Sequence, residues 1–174
     1  MMDPDVEFCL KRVGKSAAGW DTLVVHGSAD AAQPAQPAET LWTVWTDLAG
    51  WPAWSPLHVS VARPDAGELA VGATFDQRIR LGFPVGTTTE RVTLAVFEPA
   101  RRAAWEGAAN GVRSCHLWSF TPLPAGGTRV RNTEVFVGWP AALLRPLAAR
   151  RWNRDFQGAV DGLIRRAGNN RADG

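Results

Sequence analysis

At 174 residues, 45% hydrophobic and 21% charged, the chain has the size and make-up of one globular domain, which excludes a disordered or fibrous protein. Its formal net charge of +2 is too small for wholesale nucleic-acid binding. Two cysteines are too few for a disulfide framework and no Cys/His cluster has zinc-ligand spacing, so Cys9 and Cys115 are expected to be inert thiols, with neither metal nor cofactor.

Met1–Asp5 is acidic with no apolar core behind it, unlike a secretory signal. No apolar run approaches the ~20 residues that span a bilayer, and the expected setting is cytoplasmic. Residues 1–21 read as an N-terminal extension in which Val6–Leu10 is expected to form a short strand. Gly14-Lys15-Ser16 invites a phosphate-loop reading, but Cys9 stands where that motif requires its first glycine, so the match is chance. Thr22–His26, rich in β-branched residues and ended by Gly27-Ser28, reads as a strand.

Pro34 and Pro37 exclude helix and central strand from the linker that follows, and Pro37 suits the first turn of the next helix. There Leu41, Val44, Trp45 and Leu48 recur at helical spacing until Gly50, and Trp51–Pro56 reads as a helical turn braced by two indoles. From His58 to Val137, strand-like runs are separated by breaks near Pro64–Gly67, Gly82–Gly86, Pro99, Asn110-Gly111 and Pro122–Gly127. They describe an antiparallel meander of about six strands. After Gly138, Leu144, Ala148, Trp152, Phe156, Val160 and Leu163 mark one face of a helix of about 25 residues. Between Ala141 and Gly174 seven Arg stand against three Asp, read as a solvated helix face or as a patch for an anionic partner. Residues 168–174 read as a tail. A bent antiparallel sheet wrapped around one long helix cannot touch it everywhere, so a cavity is expected between them.

The stretch Leu41–Pro56 (LWTVWTDLAGWPAWSP) resembles the first helical segment of the START-related superfamily, and within it most closely the polyketide cyclase/dehydrase-like (SRPBCC) group. Glu98–Trp105 resembles that group's strand–turn–strand; Gly127–Val130 with Glu134–Gly138 resembles its last hairpin. The similarity covers 22–167. It implies an α+β helix-grip fold, in which a curved antiparallel sheet of about seven strands wraps a long C-terminal helix, with two short helices after the first strand. It also implies a cavity for a small molecule or lipid. The group has no common catalytic motif, so no catalytic residue is carried over, and the extension before Thr22 is a departure from its pattern.

Strand parity supplies candidate cavity residues. A hairpin through Pro122–Gly127 places His116 opposite Glu134 and Trp118 opposite Asn132; the turn at Asn110-Gly111 places Trp105 near His116. The turn near Pro99 puts Ala95 by Trp105, and the break at Gly82–Gly86 puts Gln77 by Arg91. One face then carries Phe75, Gln77, Ile79, Arg91, Thr93, Phe97, Trp105, His116, Trp118, Phe120, Asn132, Glu134 and Phe136, the other Val92, Leu94, Val96, Cys115, Leu117, Val135 and Val137. The aromatic set is assigned inward, and a single β-bulge would reverse part of it.

The expected ligand-binding residues are Phe75, Gln77, Arg91, Trp105, His116, Trp118, Asn132 and Glu134, with Trp152 and Phe156 from the helix. Trp42, Trp45, Trp51 and Trp54 are expected to pack the short helices, and His26 and His58 to lie at the surface. The apolar outer face needs a cover, either residues 1–20 anchored by Val6, Phe8 and Leu10 or a second copy in a homodimer. The expected function is binding of a hydrophobic or aromatic small molecule. The alternative is a cyclase/aromatase-type enzyme in which His116, Glu134 and Arg91 move protons or hold an oxyanion for aldol cyclisation and dehydration.

Overall fold

Asp3 and Pro4 begin a helix where the run Val6–Leu10 suggests a strand. In the computed structural model, which describes residues 2–64 and 67–172, α1 spans Pro4–Arg12. The Asp3 side chain accepts from the backbone N–H of Asp5 at 2.9 Å, Pro4 opens the first turn, and Lys11 pairs with Glu7 at 2.6 Å. These end effects outweigh the local β-pattern. The helical spacing then points Val6, Cys9, Leu10 and Val13 at one surface, the outer face of the sheet made by Ala104, Cys115, Leu117, Val135 and Val137. Burying Leu10 alone there contributes about 1.5–3 kcal/mol. Residues of the N-terminal extension therefore cover the apolar face. Arg131 holds α1 through ion pairs to Asp3 and Asp5, and Ser119 donates to Asp5 at 2.8 Å.

Cys9 and Cys115 are joined in a disulfide, which corrects the expectation of inert thiols. Two cysteines 106 residues apart carry no spacing signal; only the docking of α1 on the sheet brings them together.

The rest of the chain follows the expected order: β1 (Thr22–Ala31), α2 (Ala38–Thr46), a 3-10 turn (Leu48–Ala53), β2 (His58–Ala62), β3 (Thr74–Gly82), β4 (Gly86–Glu98), β5 (Arg102–Ala109), β6 (Val112–Pro122), β7 (Thr128–Val137) and α3 (Trp139–Ala172). The strands form one antiparallel sheet in the order β1-β7-β6-β5-β4-β3-β2. This is the α+β helix-grip expected from the sequence. Asp65 and Ala66 of the Pro64–Gly67 break, and Asp173 and Gly174 of the tail, lie outside the described residues. No helix among those described is long and apolar enough to cross a membrane.

The grip of sheet on helix depends on close backbone approach. A side chain at Gly27 would collide with the α3 backbone at Phe156 and Gln157, and one at Gly162 with the Trp54 carbonyl. The open edge of β1 is satisfied by α3: the His26 N–H donates to Asn153 at 2.8 Å and the Ser28 N–H to Gln157 at 3.0 Å. That removes an edge available for pairing with other chains.

Two outcomes are expected for α1. Under denaturing conditions without reductant, iodoacetamide should label neither cysteine, and after reduction both; Cys9→Ala/Cys115→Ala should lower the unfolding free energy by about 2–4 kcal/mol in urea titrations. Deleting residues 1–19 should expose the apolar outer face and give associating or insoluble protein by light scattering, and a truncated chain that remains a stable monomer would contradict this cover.

Candidate functional site

Six tryptophans occupy most of the space between sheet and helices. Trp51, fully buried, touches Trp45, Trp54, Phe75 and Trp105 with ring centroids 5.4–6.0 Å apart, and its indole N–H donates to the Trp45 carbonyl at 2.6 Å. Trp42 stacks on Trp45 at 5.0 Å, and Trp54 meets Trp118 edge-on at 6.1 Å. The four tryptophans of α2 and the following turn thus pack as expected, and none of them lines the cleft that holds His116 and Glu134.

A cleft of about 80 Å³ lies between β2, β3, β4, β6, β7 and the middle of α3. That holds a few water-sized groups, well below the roughly 300–1,000 Å³ of pockets that enclose drug-sized molecules. Leu57, Ile79, Leu81, Phe136 and Phe156 form its apolar wall; His58, Gln77, Glu90, His116 and Glu134 converge on it. Leu81, Thr88, Ser114 and Phe136 are only half-buried, so the cleft reaches the surface on their side.

The register of β6 and β7 builds its centre. His116 lies opposite Glu134 and beside Trp105, as the turn positions predict. His116 Nδ1 is 3.2 Å from Glu134 Oε2 and Nε2 is 2.6 Å from Asn132 Oδ1, while Trp105 and Phe156 flank the ring at 4.2 and 5.2 Å. Both nitrogens face oxygen atoms. The arrangement is complete when one proton sits between Nδ1 and the Glu134 carboxylate, on either partner, while Nε2–H donates to Asn132.

His58 was missed by the sequence reading, which puts it at the surface; it is buried against Trp51, ring to ring at 4.8 Å. Ser55 donates to His58 Nδ1 at 2.7 Å, Nε2–H donates to Gln77 Oε1 at 3.2 Å, and Gln77 Nε2 donates to Glu90 Oε1 at 2.6 Å. That chain fixes one neutral tautomer. Burial and, after it, the neighbouring His116 push the His58 pKa down to about 3, against a smaller opposing effect from Gln77. The only signal in the sequence was Ser55 three residues ahead of it.

Glu90 was also missed, and Arg91 was wrongly assigned inward. Gln77 pairs with Glu90 and Asp76 with Arg91, because the register shifts by one between Arg80 and Gly82. Arg91 therefore points outward and forms a two-pronged pair with Asp76 at 2.7 and 2.8 Å. Thr93 is exposed with it, whereas Val92 and Leu94 face the core. A second shift between Leu94 and Val96 returns Phe97 to the inside. Glu90 is exposed as a residue, but its carboxylate is crowded by protein at the cleft. Burial first and the Glu134 charge second raise its pKa, despite the hydrogen bond from Gln77 and the proximity of His116.

Of the remaining candidates, Gln77, His116, Glu134 and Phe156 line the cleft. Trp105 and Asn132 brace His116 from behind; Phe75 and Trp118 lie in the tryptophan-filled core. Trp152 packs on Phe136 at 5.4 Å and donates its indole N–H to the Leu81 carbonyl at 2.8 Å.

Residues 29–168 match the family model described as polyketide cyclase / dehydrase and lipid transport. The chain belongs to this family. Among solved structures, it resembles the Zhui aromatase/cyclase from Streptomyces sp. R1128 with a TM-score of 0.62 and 19% identity over 84% of this chain and 94% of that one. It resembles DR_A0006 from Deinococcus radiodurans with 0.57 and 23% over 82% and 95%, and the hypothetical protein jhp0584 from Helicobacter pylori with 0.68 and 15% over 96% and 95%. At these identities the likeness shows the fold. No curated protein matches the chain.

The buried neutral His58 makes this family member's stability depend on pH. A histidine with a lowered folded pKa leaves stability intact above its unfolded value of 6.5 and lowers it as pH falls toward 3. Between about pH 6.5 and 4.5 this group should cost roughly 2–3 kcal/mol. Urea titrations at both pH values should show that loss in the wild type and a correspondingly smaller one in His58→Gln.

Proposed function

We propose that the chain binds a carbon-rich small molecule carrying a hydroxyl or carbonyl group, with the polar end seated in the cleft against His116 and Glu134. The observation that carries this reading is the convergence of a His–carboxylate pair, a second carboxylate and an oriented amide on a hollow otherwise walled by Leu, Ile and Phe. Apolar walls supply affinity by excluding water, and a few fixed polar groups select orientation. The small volume means that only part of such a ligand enters, with its apolar body lying along Leu81 and Phe136 toward the surface. Membership of a family described by polyketide cyclisation and lipid transport supports a ligand of this class.

A second reading, proton-transfer catalysis of the aldol cyclisation and dehydration type, is favoured by one feature. His116 Nδ1 and Glu134 Oε2, 3.2 Å apart, both face the hollow. Such a pair can take a proton from the carbon next to a ketone and return one to a departing hydroxyl. Arg91 has no part in it, being on the outer face.

Native mass spectrometry of freshly purified protein should show a bound small molecule, and quenching of tryptophan emission should report 1-naphthol-class ligands. Under the binding reading, His116→Gln/Glu134→Gln weakens the affinity for a hydroxylated ligand by about tenfold, about one charge-assisted hydrogen bond, and leaves binding of its deoxy analogue unchanged. Under the catalytic reading the same variant abolishes turnover of a poly-β-keto thioester surrogate. Equal affinity of wild type and variant for both ligands, together with unchanged turnover of the surrogate, would remove the cleft from either role.

A further inference from the structure

The surface around the mouth of the cleft is apolar in places where a soluble domain has no packing need for it. On the first turns of α3, Trp139 is 63% exposed, Leu143 61% and Leu147 58%; at the tip of the β3–β4 hairpin, Phe83 is 78% exposed, beside Val85. At 100° per residue the three helix positions fall within a sector of about 80°, and Arg150 and Arg154 continue along it. These elements are one rim. The hairpin is pinned to α3 by the Trp152–Leu81 hydrogen bond and by Gly82 lying against Arg151; the Trp139 indole lies against Gly111 of the β5–β6 turn. Leu81 and Phe136 line the cleft that opens inside this rim.

The charge of the rim has one sign. From Trp139 to Arg154 the helix carries Arg145, Arg150, Arg151 and Arg154 and no acidic residue, and the hairpin adds exposed Arg80. The first acidic group on α3 is Asp155, 3.5 Å from Arg151.

We propose that this rim docks on anionic lipid bilayers, with Phe83, Trp139, Leu143 and Leu147 entering the interfacial layer and the arginines reaching lipid phosphates. Indole and aliphatic tips interleaved with arginine suit an interface that is apolar below and anionic above, because arginine can bury its stem while its guanidinium stays at phosphate level. A patch of uniformly positive sign complements a uniformly anionic surface, and each arginine near it adds to the attraction. The cleft then opens toward the bilayer. Docking is read from the rim alone, so it stands or falls separately from what the cleft holds.

The test is co-sedimentation of the full chain with phosphatidylcholine vesicles, plain or containing about a quarter phosphatidylglycerol. The wild type should partition into the anionic vesicles at least about tenfold more strongly than into the plain ones, and less so as salt rises from about 0.1 to 0.5 M. Leu143→Asp/Leu147→Asp and Arg150→Glu/Arg154→Glu should each reduce that partitioning about tenfold or more while leaving the circular dichroism spectrum and Tm unchanged, since all four side chains are exposed. No sedimentation with anionic vesicles at low salt overturns the proposal. So does loss on arginine reversal alone, which would mark an anion patch without insertion. A dimer that dissolves on Leu143→Asp/Leu147→Asp would assign the face to a second copy and overturn it equally.

Discussion

The block of indoles between sheet and helices governs this molecule. A curved sheet gripping a helix has more internal volume than aliphatic side chains fill, and here Trp42, Trp45, Trp51, Trp54, Trp105 and Trp118 take up most of it. Their placement leaves the His116–Glu134 cleft toward the open end of the grip, where Leu81 and Phe136 stand in place of indoles. The same block makes the site rigid. Trp51 backs His58 and Trp105 backs His116, so neither imidazole can swing away from the partners that fix its protons.

The two buried histidines show how environment divides roles between identical side chains. His58 is bounded by a hydroxyl donor and an amide acceptor, which suit a neutral ring, and desolvation holds it there. His116 instead faces the Glu134 carboxylate, 3.2 Å away at the cleft. His58 orients Gln77, and through it the Glu90 carboxylate.

How far the sequence could be read depended on the turn in question. The Asn110-Gly111 and Pro122–Gly127 turns predict the β5–β6 and β6–β7 registers residue for residue, bringing Trp105, His116, Asn132 and Glu134 together. Alternation failed in β4, where irregularities near Leu81 and Ala95 shift the register by one. A bulge is a backbone event without a fixed side-chain signature, and one extra residue moves every neighbour to the opposite face. Arg91 and Glu90 changed places for that reason alone.

The sequence by itself determined the element order from β1 onward, the sheet's antiparallel connectivity, the amphipathic C-terminal helix and the need to cover an apolar outer face. These follow from periodicity and turn chemistry, which are local. Tertiary structure alone decided that α1 docks on the outer face of the sheet through a Cys9–Cys115 link, that His58 is buried, and that the hollow is a small cleft. Each of these depends on which distant surfaces meet and how completely their side chains fill the space between them, and packing of that kind is set by three-dimensional contact that no one-dimensional pattern encodes.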